Sequence, residues 1–397
     1  MLKHIEIINY KSIAHCSLSF SDEVVIVGPN GVGKSNLFDA MNFLRDAAVE
    51  GLDHAVTKRH GIESVRRWSK TRPYHISLKV KFERKGGKGE YRLVISSARG
   101  DFEVHEEEAI WSGADPFQTN TDNEHVVTTR SFSRSSGQKL KFEIPSSPIK
   151  DLKLQKLAPT DLALSLVSPS SPSYLGFFFE ELFKEITDCG AYSIYPNRIR
   201  EPQAISNADV LADDGSNLAS IIRQMRSTTY RSNKERLTTS IQKVLPIVQE
   251  IRIESAGGFF VPVFRVRETE NGYAHDLNMS QVSDGTLRML GMLTAFYQPK
   301  APNRITLEEP EQMIHPGLLP ILVDAGRDFL DISEDKQLFY TTHSPTLLDT
   351  FNANQIIACS FEDGTSSFAK MSGRQIKLVQ EHLFTPGELL VTEGILG

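Results

Sequence analysis

Residues 28–35 read Gly-Pro-Asn-Gly-Val-Gly-Lys-Ser, the pattern G-x-x-x-x-G-K-[ST]. No other segment constrains the fold as much, because its flanks are as specific as the loop. Glu23-Val24-Val25-Ile26-Val27 is a β-branched run with the character of a buried strand. Asn36 to Leu44 sets Leu37, Met41 and Leu44 on one face of a helix. Strand, glycine-rich turn and helix make a phosphate-binding P-loop. Glycines let backbone N–H groups converge on an anion, and the helix N-terminus adds partial positive charge. On this reading Asn30, Gly31, Gly33, Lys34, Ser35 and Asn36 surround nucleotide phosphates. Lys34 reaches the β- and γ-phosphates, and the Ser35 hydroxyl ligates Mg²⁺.

The chain has 397 residues, enough for one large head or two intimately joined lobes. A net charge of −6 rules out a chain that is basic throughout and leaves room for a local basic groove. Its 3 cysteines, Cys16, Cys189 and Cys359, are widely spaced, which points to a reducing cytoplasm without a disulfide frame or zinc site. The N-terminus alternates like a strand and not like a signal peptide. No apolar run approaches the roughly 20 residues that a membrane-spanning helix needs.

Residues 4–27 read as strands joined by Asn9-Tyr10-Lys11-Ser12 and leading into the P-loop. Two alternating runs at 75–82 and 91–95 flank Lys85-Gly86-Gly87-Lys88-Gly89, a hairpin pattern. Residues 101–150 are polar with scattered strand signals, which suggests an antiparallel insertion with a mobile tip. Pro159, Pro169 and Pro172 punctuate the next stretch. Helices are expected over 174–190 and 217–248, a strand over 191–195, and a hairpin over 249–267 turning at Gly257-Gly258. Helix and strand alternate from 279 onward. No heptad pattern or internal repeat is present.

Three further motifs follow in order. Ser283-Asp284-Gly285-Thr286 opens a strongly apolar helix, so it can offer backbone N–H groups and Ser283 to an anion. Arg304 to Leu307 reads as a core strand ending in Glu308-Glu309-Pro310-Glu311, the layout of a Walker B. There one carboxylate can hold the Mg²⁺ shell and the next can activate water. Gln337 to Thr342 reads as a strand that delivers His343 at its end, where open α/β sheets contact ligands. Arg134-Ser135-Ser136-Gly137-Gln138 imitates a signature loop, but strand-like residues follow it, so it is read as a decoy.

Together these motifs resemble the ATP-binding-cassette ATPase heads of the SMC, RecF and OLD class. The similarity is closest to stand-alone RecF/OLD-like ATPases of the AAA family in bacteria. It rests on Gly33-Lys34-Ser35-Asn36, Gly215-Ser216-Asn217-Leu218, Glu308 to Glu311, and His315-Pro316. It covers roughly residues 1–60 and 195–397. The resemblance implies an α/β P-loop NTPase of ABC-head type, with a mixed central sheet, an antiparallel β lobe and a helical arm insertion. Within a single head over 1–397, residues 1–60 and 270–397 would form the nucleotide-binding core. Residues 61–150 would form the β lobe and 151–269 the arm.

The resemblance also implies roles. Lys34 and the loop N–H groups hold the phosphates of ATP, and Ser35 and Glu308 the Mg²⁺ shell. Glu309 polarises the attacking water and His343 contacts the γ-phosphate. Ser283 and Gly285 close the site from a second protomer, so ATP glues a homodimer or higher oligomer. Glu308 departs from the Asp common at its position, and slower hydrolysis is one consequence. The implied output is a signal to DNA or to a separately encoded effector, a nuclease or toxin, in anti-phage defence or genome maintenance. Two alternatives stand beside it: a repair ATPase gripping duplex ends through Arg198, Arg200 and 223–236, and a slow-turnover scaffold. OLD nucleases continue into a Toprim domain whose first strand ends in Glu-Gly. Leu389-Leu390-Val391-Thr392-Glu393-Gly394 looks similar, but Pro386-Gly387-Glu388-Leu389 also fits the closing segment of stand-alone ATPases. The expectation is no nuclease in this chain.

Overall fold

A computed structural model describes residues 1–68, 75–98, 100–119, 125–136, 139–145, 157–168, 175–267 and 272–395. The chain forms two compact units and passes between them at 21/22, 27/28, 189/190, 358/359 and 369/370.

The first unit is framed by a seven-stranded antiparallel sheet. Its order is Ile13–Ser19, Leu2–Tyr10, His75–Arg84, Gly87–Ala98, Asp101–Thr119, His125–Ser135, Lys141–Glu143. Register places Ile5 opposite Leu18 on one side and Val80 on the other, and all three are buried. A slip of one residue would turn that row to solvent. The glycines of the 85–89 turn have a second use. A Cβ on Gly87, Gly89 or Gly113 would come within 2.6, 2.6 or 2.8 Å of the Trp111 side chain, which lies across them fully buried.

Residues 101–119, irregular by sequence, form one 19-residue strand paired along both edges. The alternation is masked because charged residues occupy inward positions. Glu107 is fully buried and accepts from the Tyr91 hydroxyl at 3.1 Å and from the Ala163 and Leu164 amides at 2.6 and 2.8 Å. Asp115, also fully buried, accepts from the Phe117 amide and the Thr128 hydroxyl. Burial pushes the Glu107 carboxyl up, against the pull of its hydrogen bonds. Of the 101–150 stretch expected to carry a mobile tip, residues 120–124, 137–138 and 146–150 lie outside the described residues. Pro169 and Pro172 lie outside them too.

The helix that follows the P-loop, Lys34–Glu50, buries Leu37, Phe38, Met41, Phe43 and Leu44. It also carries two acids that are held by cations, the buried Asp46 and the half-buried Asp39. Asp39 meets the Tyr10 hydroxyl and Lys11 at 2.6 Å each and Arg59 at 2.9 Å. Asp46 meets Arg45 and Arg59 at 3.0 Å each and Lys58 at 3.2 Å.

The second unit is built on parallel strands: Ile356–Glu362 (of which 356–358 belong to this unit), Glu23–Val27, Gln337–Thr342 and Arg304–Glu308. Every residue of 23–27 and 337–342 is buried, the mark of a parallel sheet covered on both faces. Helices Arg231–Val244, Asp284–Tyr297 and Leu319–Leu330 contribute to one apolar cluster with it. The expected 249–267 hairpin is Val248–Ala256 with Phe259–Arg267, joined by Ala274–Asn278. Val27 pairs with Thr342 and Glu308 with Thr341, so three strands end level at their C-terminal edge.

The segment resembling a first Toprim strand is instead a helix, Pro386–Thr392. Thr385 caps it, and Glu388 completes the capping box. Pro at the first helical position and that reciprocal pair outweigh the short apolar run.

The acidic helix face gives a test. Burial alone would raise the Asp46 carboxyl, but Arg45, Arg59 and Lys58 hold it below its ordinary value of 3.8. A lowered carboxyl contributes stability above its unfolded value and loses it as pH falls through the folded one. Asp46→Asn should therefore cost about 3 kcal/mol at pH 7, the order seen when a buried ion pair loses one partner. Urea denaturation across pH should show that gap steady at neutral pH and closing only in acid. A gap already gone at about pH 5 would contradict the assignment.

Candidate nucleotide-binding site

The first unit carries the P-loop. Gly31 and Gly33 adopt φ of 81° and 102°, the left-handed region. Gly28 is buried, and a Cβ there would overlap the Cys359 carbonyl oxygen. Asn30 and Ser35 are exposed, and Ser35 directly follows Lys34 at the start of the helix.

Lys34, which the motif aims at the phosphates, has a second role within the loop itself. It is buried at 5% exposure, and its Nζ donates to the Gly28 carbonyl at 2.7 Å and the Pro29 carbonyl at 3.0 Å. The loop thus folds around its own cation, which holds the first two loop carbonyls inward. Asn36 turns its side chain to Ser12, donating from Nδ2 at 2.7 Å. Its backbone N–H donates to Gly33 at 3.0 Å. Cys359, beside the loop, is pushed up to about 12 by burial, with Lys34 pulling the other way, so its thiol stays protonated.

The second unit carries the remaining motifs. Ser283 caps helix Asp284–Tyr297, its hydroxyl accepting from the Thr286 amide at 3.2 Å. Arg200 braces this turn, donating to the Val282 carbonyl at 3.0 Å and pairing with Asp284. Gly285 has a packing reason of its own, since a Cβ there would stand 2.6 Å from the Met313 carbonyl oxygen.

Glu308 ends its strand, and Glu309 leaves it sharply, with φ of 41°. A non-glycine residue in that region is strained and persists only where its surroundings hold it. Two groups do so. The Glu309 N–H donates to the Thr341 carbonyl and hydroxyl at 3.1 and 3.0 Å. Arg288 donates to the Glu309 carbonyl at 3.1 Å and to Ile194 at 2.9 Å. Burial works against the Arg288 charge, and nearby Glu311, Tyr195 and Glu309 support it.

The third acid of the motif ties two strands' ends together. Glu311 Oε1 accepts from the Thr342 hydroxyl at 2.6 Å and from the His343 N–H at 3.0 Å. His343 Nδ1 stands 3.5 Å from Glu311 and 3.8 Å from Glu309. Glu311 Oε2 is buried without a hydrogen-bond partner among the described residues. Glu309, Glu311 and His343 thus gather at the C-terminal edge of the parallel strands, where such sheets meet ligands.

Among the described residues no cluster of three or more His, Cys, Asp or Glu could hold a metal by itself. No helix among the described residues is long and apolar enough to cross a membrane.

A family model described as an AAA domain, putative AbiEii toxin, type IV toxin–antitoxin system, matches residues 24–349. The chain belongs to this family. Among solved structures, an SMC head bound to the C-terminal winged-helix domain of ScpA matches with a TM-score of 0.53 at 14% identity, covering 94% of this chain and 99% of that one. An SMC head with an extended coiled coil, bound to the C-terminal domain of ScpA from Pyrococcus furiosus, matches with a TM-score of 0.50 at 11% identity, covering 96% and 99%. No curated protein matches. Family and fold make this an AAA-type P-loop ATPase head with the architecture of SMC heads.

Sequence reading singled out Glu308, Glu309 and His343, and missed what holds them. Arg288 lay within an apolar helix, and Thr341 and Thr342 within a buried strand, each without a motif. Glu311→Ala removes the acceptor shared by Thr342 and His343. Turnover should fall at least tenfold while ATP affinity stays within about twofold, because only the reacting end is disturbed. Steady-state kinetics beside a calorimetric titration measures both, and wild-type turnover would remove Glu311 from the site.

Proposed function

We propose that this protein binds ATP with Mg²⁺, hydrolyses it, and uses the cycle to switch between assembled and released states. The observation that carries the reading is the C-terminal strand edge. There a strained Glu309, His343 and their support from Glu311, Arg288 and Thr341 gather in a chain that also holds a preformed P-loop.

In this reading the P-loop N–H groups and Lys34 hold the phosphates. Ser35 and Glu308 supply oxygens to the metal shell, which neutralises phosphate charge when bound. Glu309 accepts the proton of the attacking water. His343, oriented by Glu311, donates toward the γ-phosphate. Ser283 and Gly285 of a second copy close the site, so ATP holds a dimer together. The output is a signal to an effector in anti-phage defence or genome maintenance, and the toxin–antitoxin wording of the family's description supports the defence branch.

No observation favours the duplex-gripping alternative. Arg198 pairs with Glu201 and Asp214, Arg200 with Asp284, Arg231 with Glu235, Lys234 with Glu250 and Arg236 with Asp328. Arg223 stacks on Phe260 at 4.4 Å. Cations already matched by acids release few phosphate counterions, the main source of affinity for nucleic acid. The scaffold alternative turns on whether Glu308 permits turnover.

Lys34→Ala should abolish ATP binding. It should also lower the melting temperature modestly, because Gly28 and Pro29 lose a buried donor worth about 1–3 kcal/mol. Unchanged affinity by calorimetry would refute the P-loop reading.

The adjacent carboxylates should separate. Glu309→Gln keeps size and hydrogen bonding but loses the base. ATP should bind and persist, the dimer should be trapped, and turnover should fall at least 10²-fold, the lower end of general-base effects. Glu308→Gln should weaken Mg²⁺-dependent nucleotide binding. Size-exclusion chromatography with ATP and Mg²⁺, paired with phosphate release, reads both. Wild-type turnover in Glu309→Gln defeats the catalytic assignment, and a monomer with ATP bound defeats the sandwich.

A further inference from the structure

Four polar groups converge on the last turn of the P-loop from three separate stretches of the first unit. Ser366 lies on strand Thr365–Lys370, Ser12 in the turn between the first two strands, and Asn36 and Val32 flank the loop's end. The Ser366 hydroxyl donates to the Val32 carbonyl at 2.6 Å. Ser366 and Ser12 hydroxyl oxygens stand 2.5 Å apart, and Asn36 Nδ2 donates to Ser12 at 2.7 Å. The Ser366 backbone N–H also donates to the Ser12 carbonyl at 2.9 Å, which locks strand to turn.

The proton positions in this chain follow by elimination. The Val32 carbonyl can only accept, so the single Ser366 proton is committed to it. Ser366 must then accept from Ser12, whose own proton is thereby committed. Ser12 must in turn accept from a group that donates, and Asn36 presents its amide nitrogen there. Every hydroxyl points the same way, toward Val32, and such a run polarises each member in turn.

The end point gives the chain its use. Peptide 32–33 is planar and trans, so the Gly33 N–H points opposite to the Val32 carbonyl. Val32 C=O is drawn toward the buried Ser366, with the Cys359 thiol also donating weakly at 3.6 Å. The Gly33 N–H is thereby turned away from Ser366. The fit is close: a Cβ on Gly33 would overlap the Ser366 hydroxyl and come 2.7 Å from that of Ser12. Gly33 is therefore required by space as well as by its φ of 102°.

We infer that Ser366, relayed by Ser12 and Asn36, is a positioning residue that preorients the Gly33 N–H for nucleotide phosphate. The inference rests on the P-loop reading and adds to it a residue more than 300 positions away in sequence. Ser366→Ala frees the Val32 carbonyl while leaving the loop sequence intact. Without that anchor the peptide can rotate, and the N–H must be reoriented at the expense of binding.

The full-length protein is titrated with ATP and Mg²⁺ by calorimetry, with Lys34→Ala as control and thermal melting as a check of folding. Ser366→Ala should raise the ATP Kd about fivefold, the value of one net hydrogen bond. In steady state KM should rise in step with kcat within about twofold of wild type, the pattern of lost uniform binding. A purely structural defect would instead lower kcat through a smaller active fraction and leave KM alone. Ser12→Ala keeps the Ser366–Val32 bond but removes the hydroxyl that polarises it and accepts from Asn36, so about a twofold rise is expected. Wild-type Kd in folded Ser366→Ala overturns the proposal if Lys34→Ala has lost binding. Wild-type Kd in Lys34→Ala overturns the P-loop reading itself. Where Ser366→Ala does not fold, Ser12→Ala decides, and wild-type affinity in that variant overturns the proposal.

Discussion

The site proposed in the second unit depends on one pairing, that of Glu23–Val27 with Gln337–Thr342. These strands are separated by more than 300 residues, yet their register places Val27 beside Thr342. Both are buried throughout, so their backbone polar groups have no water to fall back on and must find each other. Closing so long a loop is less costly than it looks. The entropy grows only with the logarithm of length, about 0.6 kcal/mol for each doubling. A central strand can therefore tolerate a large excursion before its partner arrives. The kinetic consequence is harsher, because parallel, non-local pairing slows folding.

The level strand ends are then exploited through strain. Glu309 turns out of its strand in a conformation that side chains avoid, which costs about 1–3 kcal/mol. Thr341 takes its N–H and Arg288 its carbonyl, so both faces of that peptide region are occupied. Arg288 sits on the helix that Ser283 caps, and Gly285 of the same helix packs on the Met313 carbonyl. Within this unit, the turn proposed to meet a second protomer's ATP is thus in direct contact with the loop proposed to activate water.

How much could be read from sequence depended on whether a residue's task was local. The P-loop, the strand before it and the helix after it were legible because turn, strand and helix signals sit side by side. The caps at Ser283 and the hairpin at 257–258 were legible for the same reason. The burial of Lys34 was not legible, since the motif states what the lysine can reach and not that its own loop encloses it. The strand Asp101–Thr119 was hidden by Glu107 and Asp115, whose charges contradict the inward alternation until their partners are known. Leu389 to Gly394 resembles a strand by its apolar run, but the capping box that makes Pro386–Thr392 a helix was present in the sequence beside it.

Residues whose work is to hold a backbone atom were the least legible of all. Arg288, Thr341 and Ser366 each act on a carbonyl or an N–H that belongs to another segment, and no pattern of side chains announces such a partner. The glycines are the counterpart. Gly28 makes room for the Cys359 carbonyl and Gly285 for that of Met313, and the sequence shows only that a glycine is there. The motifs proposed to carry the chemistry are few, and their geometry is set by backbone contacts between distant segments. Such contacts constrain where atoms lie far more than which side chains surround them. A chain can then share an architecture over 94% of its length with an SMC head while matching it at 14% of positions.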